Sequence, residues 1–231
     1  MNSPKISKRL LAAAGLARRG EVIADVGTDH AYLPIYLYTR GIIRRAVVSD
    51  INEGPIERAR RNIFEFSAGD GIIPVLSDGL SKIEEYSPDT VFILGMGGEL
   101  ILNIISSAEW VKKKRPRLVL QPMTHSELLR AYLFDNGFEI TEELLVEDGK
   151  IYQIIVAEYT EKRTDYNALE LRFGKINLSR REPLLLCALS RESEILSARI
   201  EGRRSAGLDG GEDEALLEMI KKYENLNGDT E

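Results

Sequence analysis

Five apolar runs in the first 122 residues each stop on or beside polar or glycine residues: EVIADVG (21–27), RAVVSDI (45–51), GIIPVLSD (71–78), TVFILGM (90–96) and RLVLQP (117–122). Stretches of helical character separate them, over 30–39, Glu53–Phe66, about Gly97 to Ala108, and 125–136. Pro34 falls in a tolerated first turn, and Asn136-Gly137 supplies a helix stop. Ser3 as N-cap and Pro4 at the first helical position predict an opening helix carrying Ile6, Leu10, Ala13, Ala14 and Ala17. Strand and helix alternating in this way dictate a parallel sheet with helices on both faces. The pattern changes after Gly137: FEITEELLV, EDGK and IYQIIVAEY read as two strands joined by a tight turn. The predicted fold is therefore α/β, a doubly wound sheet ending in an antiparallel hairpin, over residues 1–160.

The tail, 164–231, has a different character. Ser179 and Glu182 have capping-box spacing, and Leu185, Leu189, Leu196 and Ile200 follow at helical intervals. SAGLDGGED breaks that helix, and Leu216, Ile220, Tyr223 and Leu226 mark another, so a helical hairpin is expected.

Composition limits the function classes. The 231 residues hold a single cysteine, Cys187, and two distant histidines, His30 and His125. A disulfide framework and a Cys-rich metal site are excluded, and no metal is expected. No apolar run reaches the roughly 18 residues of a membrane span, and the N-terminus lacks the order of a signal peptide. No membrane association, a cytoplasmic location and a monomer are expected. Net charge is −6 but uneven: residues 1–117 carry +3 and residues 118–231 carry −9. An acidic protein can thus still present a basic face to a polyanion.

In open α/β sheets ligands bind beyond the carboxyl ends of the strands. Those ends carry Asp25-Val-Gly27-Thr-Asp29-His30, Ser49-Asp50, Ser77-Asp78-Gly79, Gly95-Met96-Gly97-Gly98 and Gln121-Pro122. Gly27 allows backbone to approach a ligand closely. Asp50, 23 residues later, has the spacing of a ribose-binding carboxylate. Asp78 and Gly79 suit an adenine edge. Asp25 or Asp29 suits an ammonium group; the alternatives are a helix cap for Asp29 and a structural role for His30. There is no Gly-x-x-x-x-Gly-Lys phosphate loop.

A parallel sheet closing on an antiparallel hairpin is the outline of the Rossmann-like class I methyltransferases that use S-adenosyl-L-methionine. The blocks ISKRL, ADVGTDHAYLPIYL, SDINEGP, SDGL, ILGMGGELI, LQPMTHSELLRAYLFDNGFEI and ELLVEDGKIYQII resemble the TrmK family, bacterial tRNA (adenine-N1)-methyltransferases acting at adenine 22. The resemblance runs from about Ile6 to Ala157, and the tail corresponds only as a helical appendage. It implies a coiled-coil domain after the catalytic one and a tRNA partner. It also implies S-adenosyl-L-methionine contacts from Gly27, Asp29, His30, Asp50, Asp78, Gly79 and the loop Gly95, Met96, Gly97 and Gly98.

Adenine N1 carries no proton at neutral pH, so methylation there requires positioning rather than a base. A carboxylate near the adenine would stabilise the cationic product; Asp29 is the first candidate and Asp78 the second. N1 lies on the Watson–Crick edge, so the base must be exposed before reaction, and Tyr32 is a candidate stacking partner. Arg9, Gln121 and Pro122 are further candidates for substrate contact. At about 100° per residue, Arg180, Arg181, Arg191 and Arg199 would share a helix face able to grip phosphates. KKKRPR (112–117) is expected to be a solvated loop at the far edge of the sheet. Three rivals stand beside this reading: a small-molecule methyltransferase, a cofactor-binding RNA-interaction protein without turnover, and an NAD-dependent oxidoreductase. The hairpin and the missing Gly-x-Gly-x-x-Gly disfavour the last.

Overall fold

The structure is a computed structural model and describes residues 3–228. The chain divides into two compact units, Met1–Asp165 and Tyr166–Glu231.

In the first unit α1 (Lys8–Gly15) precedes β1 (Val22–Val26), α2 (Tyr32–Thr39), β2 (Arg45–Asp50), α3 (Glu53–Glu65), β3 (Ile72–Leu76) and β4 (Thr90–Met96). Then come α4 (Gly98–Ser106), α5 (Glu109–Lys114), β5 (Arg117–Pro122), α6 (Ser126–Asp135), β6 (Phe138–Asp148) and β7 (Lys150–Tyr159). The sheet order is β3-β2-β1-β4-β5-β7-β6; β1 to β5 run parallel, and β7 is antiparallel to both β5 and β6. The strand order reverses between β1 and β4, which puts the ligand crevice of such a sheet at their carboxyl ends.

Alternate strand residues feed two cores, as a period of two requires. On one face Ile23, Val48, Phe92 and Val119 pack under Ala13, Leu33, Ile35, Ala59 and Ile63 from the first three helices. On the other, Ala24, Val26, Ile93 and Leu120 pack under Ile101, Ile105, Trp110, Leu129 and Leu133. Each fully buried large aliphatic side chain contributes roughly 1.5–3 kcal/mol. Both faces being covered explains why the central strands read as continuous apolar runs.

The second unit contains α7 (Ala168–Phe173), α8 (Lys175–Arg180), α9 (Pro183–Ser205) and α10 (Glu212–Gly228). Asn167 and Glu170 form a reciprocal capping box at the start of α7. Leu185, Leu189, Leu196 and Ile200 line the buried face of α9, which packs against α10. Arg199 and Arg204 cross to Asp213 and Glu214 at 2.7 Å each.

Four local expectations are corrected. The first helix starts at Lys8 rather than Pro4: Ser7 caps it, accepting from the Leu10 N–H at 3.3 Å, while residues 3–6 run irregularly with Pro4 buried. KKK lies in the last turn of α5, a helix the spacing did not reveal. Ser179 and Glu182 do not form a capping box; Ser179 Oγ donates back to Ile176 O at 2.8 Å, and α9 starts with Pro183 at its first turn. Arg181 adopts a left-handed φ of 52° between α8 and α9. Arg180 and Arg181 therefore do not continue the helix that carries Arg191 and Arg199, and a common face generated by one helical period does not exist.

Candidate active site

The four strand ends β3, β2, β1 and β4 stand side by side, so the polar residues that terminate them form one row along the carboxyl edge. Asp25, near the end of β1, is buried, and desolvation pushes its carboxyl up to about 6 despite a hydrogen bond from Thr28. Gly27 follows with φ 78°, a left-handed value that favours glycine. A Cβ there would overlap the Met96 Cε of β4, so the two strand ends touch at the point of reversal. The N–H groups of Gly27 and Thr28 both donate to Ser49 O, at 2.7 and 3.0 Å, tying the loop to β2. Thr28 Oγ1 accepts from the Ala31 N–H at 3.0 Å, and Ala31 takes a left-handed φ of 55° before α2 begins.

Asp29 is not the cap of α2, which has no side-chain cap. Its carboxylate is held by Arg58 of α3, with Nε donating to Oδ1 at 2.8 Å and Nη2 donating to the same oxygen. The other oxygen lies 3.1 Å from His30 Nε2. The His30 ring stacks on Tyr32, with centroids 5.0 Å apart and planes 11° from parallel. Asn62, one turn beyond Arg58, donates to His30 O at 2.8 Å. Arg58 and Asn62 were not singled out from the sequence; their i, i+4 spacing on α3 was the available signal.

Asp50 accepts from the Asn52 N–H at 2.8 Å through one oxygen and is partly exposed. Asp78 is exposed in the loop after β3, beside Gly79, which packs on Ile104. At the end of β4 the ladder with β5 slips between Leu94 and Met96, so Gly95 forms a bulge, with φ 78°. The Gly95 N–H donates to Gln121 Oε1 at 3.1 Å. The Met96 carbonyl accepts from the Met123 N–H at 2.7 Å, and the Gly98 N–H donates to Thr124 O at 2.8 Å. Gly97 is the N-cap of α4.

Gln121 and Pro122 are buried, and the Gln121 amide donates to the Pro122 carbonyl at 2.9 Å. Gln121 thus supports the β4 loop. Arg9 is brought to the same place, its guanidinium donating to Gln121 Oε1. In the second unit Arg191 is exposed and Arg199 is paired with Asp213.

This row offers a carboxylate at the crevice floor, a second at the end of β2, a third at the end of β3, and glycine backbone between. Such a set suits a ligand with an ammonium group, a vicinal diol and an exocyclic amine. The Ser49 hydroxyl, buried without a protein partner at the end of β2, adds an unspent polar group beside it. Among the described residues no group of three or more His, Cys, Asp or Glu could hold a metal ion, and no helix is long and apolar enough to cross a membrane.

A methyltransferase-domain family matches residues 6–155, the stretch that builds this row and the hairpin beside it. The tRNA (adenine(22)-N(1))-methyltransferase of Bacillus subtilis is 34% identical over 177 residues, 76% of this chain and 74% of that protein. The chain belongs to the TrmK family. Among solved structures, the B. subtilis m1A22 tRNA methyltransferase TrmK has a TM-score of 0.79 at 28% identity, with 96% of this chain and 97% of that one covered. TrmK of M. capricolum with S-adenosyl-homocysteine gives 0.81 at 27% identity, covering 94% and 97%. A Streptococcus pneumoniae protein in complex with S-adenosyl-L-methionine gives 0.83 at 33% identity, covering 95% and 99%. The matched stretch in each of these structures takes in residues of the helical tail as well as the sheet domain.

Proposed function

We propose that this chain methylates N1 of adenine 22 in tRNA with S-adenosyl-L-methionine as methyl donor. The observation that carries the reading is the unbroken row Asp78, Asp50, Asp25–Gly27, Gly95–Gly98 along four adjacent strand ends of a TrmK-family sheet. Asp78 would take the adenine amine of the donor, Asp50 its ribose hydroxyls, and Asp25 its ammonium, with Gly27 keeping the floor open. When bound, the donor supplies an electrophilic methyl group on a sulfonium.

The chain's own task is positional. Adenine N1 already carries a free lone pair, so no residue has to remove a proton before transfer. The Gly95–Gly98 backbone walls the crevice where a ring nitrogen must be oriented, and close orientation is itself a large rate term. Asp29, engaged by Arg58 and His30, serves the loop by holding the His30–Tyr32 stack against α3. That stack presents ring surface for an exposed base. In the second unit, Arg191 is the one residue of the four arginines for phosphate that is both on α9 and without an acidic partner among the described residues. The active form is a monomer that needs no metal.

The test is incubation with methyl-labelled S-adenosyl-L-methionine and unmodified tRNA, followed by digestion to nucleosides. Labelled 1-methyladenosine is expected and should form equally well in EDTA. Binding of both ligands without that product would overturn the reading.

A further inference from the structure

Arg9 touches four separate segments around the site. Its guanidinium donates to Gln121 Oε1 on β5 and lies 3.7 Å from Met123 Sδ. It sits 5.1 Å from the Tyr152 ring centroid on β7, a cation–π distance. Its backbone N–H donates to Asp148 Oδ2 at the hairpin tip, 3.3 Å away. A Cβ on Gly95 would meet Arg9 Nη1 at 3.3 Å. The hairpin can reach Arg9 because β7 pairs with β5 only over Ile155–Ala157. On that register residues 150–152 lie beyond Pro122, the carboxyl end of β5.

The bulge at Gly95 is the part of the site that this cluster governs. A bulged residue loses its place in the ladder and needs another partner. For Gly95 the partner is the Gln121 carbonyl oxygen, at 3.1 Å. An amide side chain presents either its oxygen or its NH2 to a given neighbour. Turned over, Gln121 would set its NH2 against the Gly95 N–H. Arg9 donates to the same oxygen and makes the turned arrangement costly, since a donor would then face donors on two sides. The Pro122 carbonyl, accepting from Nε2 at 2.9 Å, favours the same orientation from the other side. Gln121 is fully buried, so no solvent replaces a lost bond.

We infer that Arg9 is a positioning residue. It fixes the Gln121 amide, which fixes the Gly95 bulge, which shapes the wall against which the target base is held. This inference rests on the methyltransferase reading above, and it assigns Arg9 to the geometry of transfer and not to phosphate binding. The guanidinium meets this need because it offers several N–H groups in one plane while stacking on an aromatic ring; the ammonium of lysine does not combine the two.

The test compares Arg9→Lys and Arg9→Ala with the parent protein. At saturating ligands, kcat for tRNA methylation should fall at least tenfold in Arg9→Ala and severalfold in Arg9→Lys. The KM for tRNA and the salt slope of tRNA binding should stay within about twofold of the parent values, and any rise in the Kd for S-adenosyl-L-methionine should be smaller than the fall in kcat. In 1H–15N spectra the Gly95 amide should move in both variants. Unchanged kcat with an unmoved Gly95 amide would overturn the inference. So would a loss confined to tRNA KM with the salt slope reduced by about one, which marks a phosphate contact. If Arg9→Ala does not fold, Arg9→Lys decides the question by the same criteria. If the parent itself forms no 1-methyladenosine, the methyltransferase reading falls, and the Gly95 amide shift still reports whether Arg9 holds the bulge.

Discussion

Arg58 holds Asp29 from across the loop, with Nε 2.8 Å from Oδ1 and Nη2 on the same oxygen, so α3 controls where the turn after β1 can go. Both side chains are about half exposed, so the pair contributes only about 0–1 kcal/mol to stability. Its consequence lies in placement. Asp29→Asn and Arg58→Ala should each weaken S-adenosyl-L-methionine binding by a similar few-fold amount. The double variant should be no weaker than the singles. Calorimetric titration of all three closes the cycle, and additive losses would show that the residues act apart.

Asp25 gives the protein a specific pH dependence. Its folded carboxyl is raised from 3.8 to about 6 by burial, so between those values the folded state binds the extra proton. The favourable term is therefore complete below about pH 4 and lost as pH rises through about 6. Asp25→Asn removes the penalty of a buried charge and should be more stable than the parent at pH 8, by roughly 2–3 kcal/mol for a two-unit shift. The gap should close towards pH 4, as urea melts at several pH values would reveal. Affinity for S-adenosyl-L-methionine should move the other way, falling below about pH 6 as the carboxylate proposed to meet its ammonium is neutralised.

Asp50 should separate cofactor binding from RNA binding. Loss of a carboxylate that accepts from ribose hydroxyls costs about 1.5–3 kcal/mol, or roughly 10- to 100-fold in Kd. Asp50→Ala should show that loss for S-adenosyl-L-methionine and bind tRNA as the parent does in a filter assay.

Arg130 and Glu143 form an ion pair of which neither side chain is exposed, with Nε 2.8 Å from Oε1 and Gln153 accepting from Nη2 at 2.6 Å. The pair joins α6 to the hairpin. Arg130→Ala would take the guanidinium away from the buried Glu143 carboxylate and should destabilise the first unit by about 3–5 kcal/mol. The double change Arg130→Met with Glu143→Leu should recover most of that loss in thermal melts.

The sheet was legible because parallel strands covered on both faces are apolar almost throughout, as in VIADV and TVFIL. The row of polar strand ends was legible because four of the five runs end abruptly on Asp or Gly. Helix boundaries were harder. Ser3-Pro4 has the chemistry of a helix start, but packing of Pro4 and Ile6 draws that segment out of the helix and leaves Ser7 to cap it. Pro183 marked the true start of α9, yet the leucine stripe extends an apparent period back through Arg180. The left-handed turn at Arg181 carries no glycine to announce it. The grip of Arg58 on Asp29 and of Arg9 on Gln121 spans 29 and 112 residues. No local pattern encodes which arginine meets which acceptor at that separation, so both depended on the folded chain.

The most direct test of the account maps the product on a tRNA with adenine at position 22 and on the same tRNA with guanine there. After reaction, primer extension should stop at position 22 of the first and nowhere on the second, because methylation of N1 blocks the Watson–Crick edge. Stops elsewhere in both RNAs, or none in either while S-adenosyl-L-methionine and tRNA are bound, would contradict it.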